Sequence, residues 1–123
     1  MTQTKKDQIR ALLKSIETGD PGPIAVVNEA KYIQHNPLAA DGPEGLKSFL
    51  EFAKANLGSF KVEFKQVFAD GDYVIVHVHA TAGPEDRGSA VMDIFRLENG
   101  KVVEHWDVIQ PIPETANNEN TMF

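Results

Sequence analysis

The sequence contains no cysteine and no long apolar run. Without cysteine the chain can form no disulfide and can perform no thiolate chemistry. No segment approaches the roughly 20 apolar residues that span a bilayer. The N-terminal residues have no apolar stretch behind their positive charges, which argues against a secretory signal. We therefore predict a cytoplasmic protein with no membrane partner.

The chain also lacks an excess of positive charge, with 12 lysines and arginines against 18 aspartates and glutamates and a formal net charge of −6. Proteins that bind nucleic acid through its phosphates need concentrated Lys and Arg. The one local basic cluster, formed by Lys5, Lys6 and Arg10, lies on a predicted helix and is interpreted as its solvated face. We expect no nucleic-acid partner.

The first half of the chain has the periodicity of helices. A length of 123 residues predicts one domain. Apolar residues recur at helical spacing on a first helix that begins near Thr4. A short second helix is predicted over Ile24–Ala30, and a third lies between Asp41 and Gly58, which is a natural stop. The apolar side of the third helix comprises Leu46, Phe49, Leu50, Phe52, Ala53 and Leu57.

The second half has the periodicity of strands, because after Gly58 the apolar residues recur at every second position. Strands are predicted from Phe60 onward and over residues 73–82, 89–97 and 101–110. About three helices followed by about four hairpin-linked strands indicate an α+β fold, with the helices on one face of a curved antiparallel sheet. We expect a single domain over residues 1–113 and a polar C-terminal tail over 114–123.

The last two strands are joined at Glu98-Asn99-Gly100, and the length of this turn sets which residues face each other. A three-residue loop places Asp93 opposite His105. A two-residue turn shifts the register by one and places Asp93 opposite Trp106 instead. With the three-residue loop, one face carries Val91, Asp93, Phe95, Val103, His105 and Asp107. The other face carries Met92, Ile94, Glu104, Trp106 and Val108, and it would make an equally good core.

Two carboxylates and an imidazole grouped on one face suit proton transfer. A carboxylate in an apolar cavity beside a second carboxylate has its charged form disfavoured by desolvation and by like-charge repulsion. One of the two can then hold a proton near neutral pH while the other is ionised, as general acid–base catalysis requires. Asp93, His105 and Asp107 are therefore candidate catalytic residues. The alternative is that they face water as an ordinary polar sheet surface.

Three further histidines and an asparagine are candidates for contact with a ligand. His77 and His79 alternate with valines on a predicted strand, and with His105 and the aspartates they offer the ligand types that suit several divalent metals. H-x-H pairs are common on strands without a metal, so we predict no metal and no other cofactor. His35 and Asn36 lie in a predicted loop, where they either reach the mouth of a pocket or have a structural role in the turn.

Three segments resemble a known family. They are Y-I-Q-H-N-P at Tyr32–Pro37, V-M-D-I-F-R at Val91–Arg96 and G-K-V-V-E-H-W-D-V-I-Q-P at Gly100–Pro111. Together with the order of helices and strands, they resemble the SnoaL-like polyketide cyclase group of the nuclear transport factor two-like superfamily over nearly the whole chain. The resemblance implies a cone-shaped α+β fold with a hydrophobic cavity between sheet and helices. It also implies a homodimer that forms through the outer face of the sheet.

The resemblance implies roles for individual residues. In the cyclases an aspartate on the last strand is the acid/base, and Asp107 occupies that position. A residue on the neighbouring strand, often histidine in the cyclases, is Asp93 here and departs from their pattern. An asparagine contributed from the loop after the second helix matches Asn36, or less closely His35. The side-chain parity of the family agrees with the three-residue hairpin loop. The expected ligand contacts are Tyr32, His35, Asn36, His77, His79, Val91 and Phe95.

Three functions are compatible with these patterns. The superfamily includes cyclases that perform aldol condensation, ketosteroid isomerases, dehydratases, epoxide hydrolases and members with no known catalysis. The leading hypothesis is a cofactor-independent acid–base enzyme that cyclises, isomerises or dehydrates a small apolar carbonyl compound. The second is a non-catalytic protein that binds an apolar metabolite. The third is a structural dimer in which Asp93 and His105 bond each other and no accessible cavity remains.

Overall fold

The computed structural model of the protein describes residues 2–18, 20, 22–42, 44–45, 47–48, 51, 55 and 60–123. Helix α1 covers Thr2–Thr18, and a short 3₁₀ helix covers Gly22–Val26. The strands are β1 (Ile33–Gln34), β2 (Lys61–Asp70), β3 (Tyr73–Thr81), β4 (Ser89–Glu98) and β5 (Lys101–Pro111). The predicted α+β class is confirmed, since α1 packs against β2 and β3 of a single sheet. Among the described helices none is both long enough and apolar enough to cross a membrane.

The number of helices differs from the prediction. In the described part of the chain α1 is the single long helix, whereas about three helices were expected. The predicted second helix over Ile24–Ala30 is wrong, because the chain forms only the short 3₁₀ turn and then pairs Val27 with Val102 of β5. The amide of Asn28 donates to the Val102 carbonyl at 2.9 Å. Bonding to the sheet replaces the helical bonds that the prediction assumed.

Most of the predicted third helix lies outside the described residues. Positions 42, 44–45, 47–48, 51 and 55 are helical. The apolar positions on which the prediction depended, Leu46, Phe49, Leu50, Phe52, Ala53 and Leu57, are not among the residues described, and neither is Gly58. The third helix therefore stays a prediction.

The sheet has five strands in the order β1-β5-β4-β3-β2. The four long strands are antiparallel neighbours joined in sequence, as predicted. The short strand β1 is an addition, and it runs parallel to β5 with Ile33 beside Glu104 and Gln34 beside His105. The amide of His35 continues this pairing by donating to the His105 carbonyl at 3.0 Å. The predicted loop after the second helix is thus partly a strand at the edge of the sheet.

One face of the sheet and the apolar side of α1 form the core. Ile9 and Leu12 of α1 are buried, as are alternate residues of the strands, which are Val62, Val74, Val76, Val78, Val91, Phe95, Leu97 and Val102. Because side chains alternate across a strand, the residues between these valines face the other side. This assignment of inner and outer faces determines which polar residues reach the interior.

The hairpin between β4 and β5 begins with the predicted alternative, the two-residue turn, but its register farther along the strands matches neither prediction. Asn99 and Gly100 form a two-residue turn with positive φ angles of 51° and 78°, and Glu98 pairs with Lys101. The register then shifts by one, because Leu97 pairs with Val102 whereas Arg96 pairs with Glu104.

Val103 is the extra residue of this β-bulge. Beyond the bulge Asp93 lies opposite Asp107, and Phe95 lies opposite His105. The predicted pairings of Asp93 with His105 and with Trp106 are both wrong. The two acids and the imidazole still share one face. Relative to the three-residue loop, the two-residue turn shifts the pairing by one residue and the bulge shifts it by one more. A total shift of two residues leaves every side chain beyond the bulge on its predicted face.

Candidate active site

A cavity of about 530 Å³ lies between α1 and the inner face of the sheet. Its described lining is largely apolar and includes Leu12, Leu13, Ile16, Val62, Val78 and Ile109. The predicted ligand contacts Val91 and Phe95 also line it. The structural-dimer hypothesis required that no accessible cavity remain, so the cavity contradicts it. The volume is within the roughly 300–1,000 Å³ that is typical of small-molecule sites.

Polar side chains converge on one part of the cavity wall, where β1, β5 and β4 are neighbours. β4 contributes Asp93, and β5 contributes His105 and Asp107. The segment that contains β1 contributes Tyr32, Gln34 and Asn36. These last three residues alternate along the chain, so an extended backbone turns all of them toward the same side. Sequence analysis assigned Tyr32 and Asn36 to the pocket, and the structure places both there.

Asp93 and His105 form a buried carboxyl–imidazole pair. Asp93 Oδ1 lies 2.8 Å from His105 Nε2, and the two residues are only 4% and 7% exposed. Burial raises the pKa of Asp93, and the charge of Asp107 acts in the same direction, whereas the contact with His105 opposes the rise. The Phe95 ring packs on the imidazole with 4.6 Å between the ring centres. The pair can therefore hold a proton at a pH where an exposed aspartate would have lost it.

Asp107 faces the cavity beside this pair and has a different partner. Its Oδ2 accepts a hydrogen bond from Asn36 Nδ2 at 3.0 Å and lies 3.9 Å from His105 Nε2. Asn36 is held in turn, because its Oδ1 accepts the backbone amide of Leu38 at 2.8 Å. A neutral amide thus orients the Asp107 carboxyl group. Two carboxyl groups in one cavity therefore have unlike surroundings.

Gln34 is the functional candidate that sequence analysis missed. Its Oε1 lies 2.7 Å from His105 Nδ1 and also accepts the backbone amide of Asn36 at 3.0 Å. Its Nε2 donates to the hydroxyl oxygen of Tyr32 at 3.3 Å. The residue lies inside the segment Tyr32–Pro37, and strand-like alternation from Tyr32 would have selected it together with Asn36. The sequence analysis treated this segment as a loop and therefore did not apply strand alternation to it.

Tyr32 completes the polar part of the wall. Burial raises the pKa of its phenol strongly, and the nearby Asp93 and Asp107 raise it further. The residue is 6% exposed. Tyr32 therefore remains a neutral hydroxyl at neutral pH, and such a group can donate a hydrogen bond to a ligand.

His35, expected in the pocket, lies on the opposite face of the sheet. Its Nε2 contacts Glu104 Oε2 at 2.7 Å, and its ring stacks on Trp106 with 4.8 Å between ring centres and 1° between planes. The residue falls between Gln34 and Asn36, which point inward, so alternation directs it outward. The expectation that His35 contacts a ligand in the cavity is therefore wrong.

His77 and His79 also lie on the outer face, between the buried valines of β3. Their rings are 5.3 Å and 4.8 Å from the ring of Phe123, and His79 Nε2 lies 2.7 Å from the Arg87 carbonyl oxygen. The expectation that they line the cavity is wrong for the same reason of strand parity. A metal site that combines them with Asp93 and His105 cannot form, because the sheet separates the two sets.

A smaller set of residues has the types and spacing that could hold a divalent cation. Asp93, His105 and Asp107 offer ligand atoms that all lie within 4.8 Å of one another. However, His105 Nε2 is already bonded to Asp93 at 2.8 Å, and His105 Nδ1 lies 2.7 Å from Gln34 Oε1. The arrangement therefore fits proton sharing between the two side chains more directly than metal coordination.

Comparison with known proteins places the chain in a family. The family described as the SnoaL-like domain matches residues 9–105. Among solved structures, IdmH, a candidate polyketide cyclase from Streptomyces antibioticus, is 20% identical with a TM-score of 0.69, and the match covers 85% of this chain and 91% of that one. A candidate ketosteroid isomerase from Kribbella flavida is 17% identical with a TM-score of 0.73, and the match covers 95% of this chain and 85% of that one.

A nuclear transport factor two-like protein of unknown function from Burkholderia xenovorans is 14% identical with a TM-score of 0.72. That match covers 94% of this chain and 89% of the other, and at such identities these likenesses establish the fold alone. Among curated proteins no significant sequence match was found. The resemblance seen in the sequence is confirmed, and the chain belongs to the SnoaL-like domain family, with the nuclear transport factor two-like fold.

Proposed function

We propose that the protein is a cofactor-independent acid–base enzyme that acts on a small, apolar carbonyl compound. The observation that carries this proposal is the placement of two unlike carboxyl groups in one largely apolar cavity. Asp93 is bonded to His105 at 2.8 Å, whereas Asp107 accepts the amide of Asn36 at 3.0 Å. Aldol cyclisation, isomerisation and dehydration all begin with removal of a proton next to a carbonyl group, so all three fit this site.

In the proposed mechanism Asp107 is the base. It takes a proton from the carbon next to the substrate carbonyl, and Asn36 keeps its carboxylate turned toward that carbon. The electron pair of the broken C–H bond moves into the carbonyl, and negative charge develops on oxygen. The Asp93–His105 pair and the neutral hydroxyl of Tyr32 are the donors available to stabilise that oxygen. In isomerisation the enolate is then protonated at carbon. In aldol cyclisation it attacks a second carbonyl, and the resulting alkoxide takes up a proton. In dehydration the enolate expels a β-hydroxyl group, which takes a proton from the Asp93–His105 pair and leaves as water.

The described lining also limits the substrate class. It contains Asp86, Asp93 and Asp107 and no lysine or arginine among the residues that the structure describes. A carboxylate or phosphate substrate would therefore meet like charge without a compensating cation. Aliphatic and aromatic side chains form most of the wall. We propose a neutral and mainly apolar substrate whose carbonyl lies near Tyr32.

Substitution of Asp107 by asparagine tests the proposal. The readout is exchange of the α-hydrogens of a panel of apolar ketones with deuterated water, followed by NMR, together with ketone affinity by calorimetry. Loss of a positioned general base lowers rates by about 10²- to 10⁴-fold. We expect Asp107→Asn to lose exchange by this factor with little change in affinity. Asp70→Asn, the same substitution at an exposed position of β2, is the matched control and should exchange like the wild type.

Undiminished exchange in Asp107→Asn would remove this residue from the mechanism. If the wild type binds apolar ketones with measurable affinity but exchanges none of them, the second hypothesis, a non-catalytic binding protein, replaces the enzyme.

We also propose that the protein is a homodimer formed through the outer face of β4 and β5. Met92 and Val108 pair across these strands and are 42% and 72% exposed. Trp106 lies on the same face two residues before Val108. On the β2–β3 side, Phe123 of the C-terminal tail packs over His77 and His79. Phe123 thus covers part of the outer face on the β2–β3 side, and a second copy of the chain is proposed for the β4–β5 side.

The setting that we propose for this activity is the cytoplasm. This proposal rests on composition, because a chain without cysteine needs no oxidising compartment to fold.

A further inference from the structure

Gln34 contacts three groups of the proposed site, although the proposed mechanism assigns it no role. It lies on β1, beside His105 of β5 in the parallel register. Its side chain reaches the imidazole atom Nδ1, which faces away from Asp93. The far side of His105 is therefore occupied by an amide that carries both a donor and an acceptor.

The orientation of this amide is fixed by its other partners. The backbone N–H of Asn36 donates to Gln34 Oε1 at 3.0 Å, and a backbone N–H can only donate. The amide oxygen must therefore be on that side, and the amide nitrogen is left to donate to the Tyr32 hydroxyl. A flipped amide would leave the Asn36 N–H facing another donor.

A fixed amide oxygen also fixes the tautomer of His105. Gln34 Oε1 lies 2.7 Å from His105 Nδ1 and can only accept, so Nδ1 must carry hydrogen. When the imidazole is neutral, Nε2 is then bare and can only accept. Asp93 Oδ1 lies 2.8 Å from Nε2, and two bare acceptors at that distance would repel each other. One proton must lie between Asp93 and Nε2, on either atom.

We propose that Gln34 is a positioning residue: by holding the Nδ1–H tautomer of His105, it makes the Asp93–His105 pair the proton donor of the site and leaves Asp107 as the base. The catalytic part of this inference rests on the proposed function, but the tautomer of His105 can be measured without any enzymatic reaction. The groups that face His105 are Asp93 of β4, Asp107 of β5, and Gln34 with Tyr32 from the segment of β1. Among these, Gln34 is the residue that contacts Nδ1.

The tautomer can be measured directly on the wild-type protein. Protein labelled with ¹⁵N-histidine gives long-range ¹H–¹⁵N correlations that distinguish a protonated from a bare ring nitrogen, and comparison with His105→Gln assigns the His105 signals. We expect hydrogen on Nδ1 throughout the pH range in which the protein is folded. A neutral His105 with a bare Nδ1 would overturn the inference, and this outcome requires no substitution at Gln34.

Two substitutions then test whether Gln34 is the cause. Gln34→Met keeps the length of the side chain but removes the acceptor, so we expect loss of the fixed Nδ1–H signal. Gln34→Glu restores an acceptor at the same place and should restore that signal. Gln110→Met, the same substitution at an exposed position of β5, is the matched control. An unchanged tautomer in a folded Gln34→Met protein would contradict the inference.

Kinetics separate the failure of this inference from the failure of the proposed function. With an active ketone we expect Gln34→Met to lower kcat by about 10²-fold, the lower end for a positioned acid or base, with KM little changed and partial recovery in Gln34→Glu. If no ketone reacts but the tautomer follows Gln34 as stated, the proposed function fails and the structural inference stands. If exchange is observed and Gln34→Met leaves both kcat and the tautomer unchanged, the inference fails alone.

Discussion

Asp93 is a carboxylic acid that the fold removes almost completely from water. It is 4% exposed, and burial raises its pKa. The folded protein therefore holds the Asp93 proton more tightly than the unfolded chain does. By linkage, the stability from this residue is fully present below the ordinary aspartate pKa of about 4 and is lost as the pH rises through the higher pKa of the folded state.

The first prediction concerns this pH dependence. In the wild type, the free energy of unfolding should fall as the pH rises above about 4, partly because the buried Asp93 loses its proton. Asparagine is neutral at every pH, so we expect Asp93→Asn to lack this part of the decrease. The measurement is urea denaturation of both proteins at a series of pH values up to about pH 8. Asp70→Asn serves as the exposed control and should follow the wild-type curve. Parallel curves for Asp93→Asn and the wild type would show that the buried carboxyl group does not govern this slope.

Alternation along the chain predicted part of the site at the scale of single residues. Asp93, His105 and Asp107 were grouped on one face from the parity of β4 and β5, and the structure brings them together in the cavity. Gln34 was missed and His35 was misplaced for one reason. Both errors come from treating Tyr32–Pro37 as a loop, in which side-chain direction has no period.

At the scale of elements, the hairpin between β4 and β5 depends on two local features. Asn99 and Gly100 both have positive φ, which suits the two-residue turn that matches the twist of the strands. The bulge at Val103 then adds the residue that returns His105 and Asp107 to the inner face. Such a bulge has little signature in sequence, because its position depends on how β5 fits against both β1 and β4.

The second prediction concerns this turn. Gly100 has φ of 78°, and a Cβ added there would meet no atom within 4 Å, so replacement by alanine introduces backbone strain without a steric clash. We expect Gly100→Ala to lower the free energy of unfolding by about 1–2 kcal/mol, measured by urea denaturation.

Gly83→Ala is the matched control for the turn. A Cβ at Gly83 also meets no atom within 4 Å, and the residue does not have positive φ. We expect this substitution to leave stability unchanged or to raise it slightly, because alanine reduces the entropy of the unfolded chain. Equal losses at the two positions would show that the left-handed conformation of Gly100 is not the source of the cost.

At the scale of the whole molecule, the sheet separates two surfaces with different chemistry. The inner surface carries the cavity and its polar residues. The outer surface carries the stacked His35 and Trp106, the tail residue Phe123, and the exposed Met92 and Val108. Apolar side chains exposed together on a sheet face mark a candidate contact surface, and this surface is the basis of the proposed dimer.

The third prediction tests that dimer. We expect the wild type to have the mass of a dimer by size-exclusion chromatography with light scattering. Val108→Lys should give monomers, because it places a charge at the centre of the proposed interface. Ala11→Lys adds the same charge on the exposed side of α1 and should remain dimeric. A monomeric wild type at micromolar concentration would exclude the dimer, and a dimeric Val108→Lys would exclude this face.

The sequence by itself determined the α+β class and the antiparallel order of the four long strands, because periodicity and turn residues are local properties of the chain. It also indicated the family, through the three segments that resemble it. It also determined which residue types were available for proton transfer. Only the tertiary structure decided that β1 lies beside β5 and brings Gln34 to His105, and that His77 and His79 face outward. The position of β1 depends on contacts between segments about 70 residues apart, such as Asn36 with Asp107. The direction of His77 and His79 depends on which face of the sheet α1 covers. No pattern within a single segment can specify such contacts, since their free energy comes from packing that forms only when the sheet is complete.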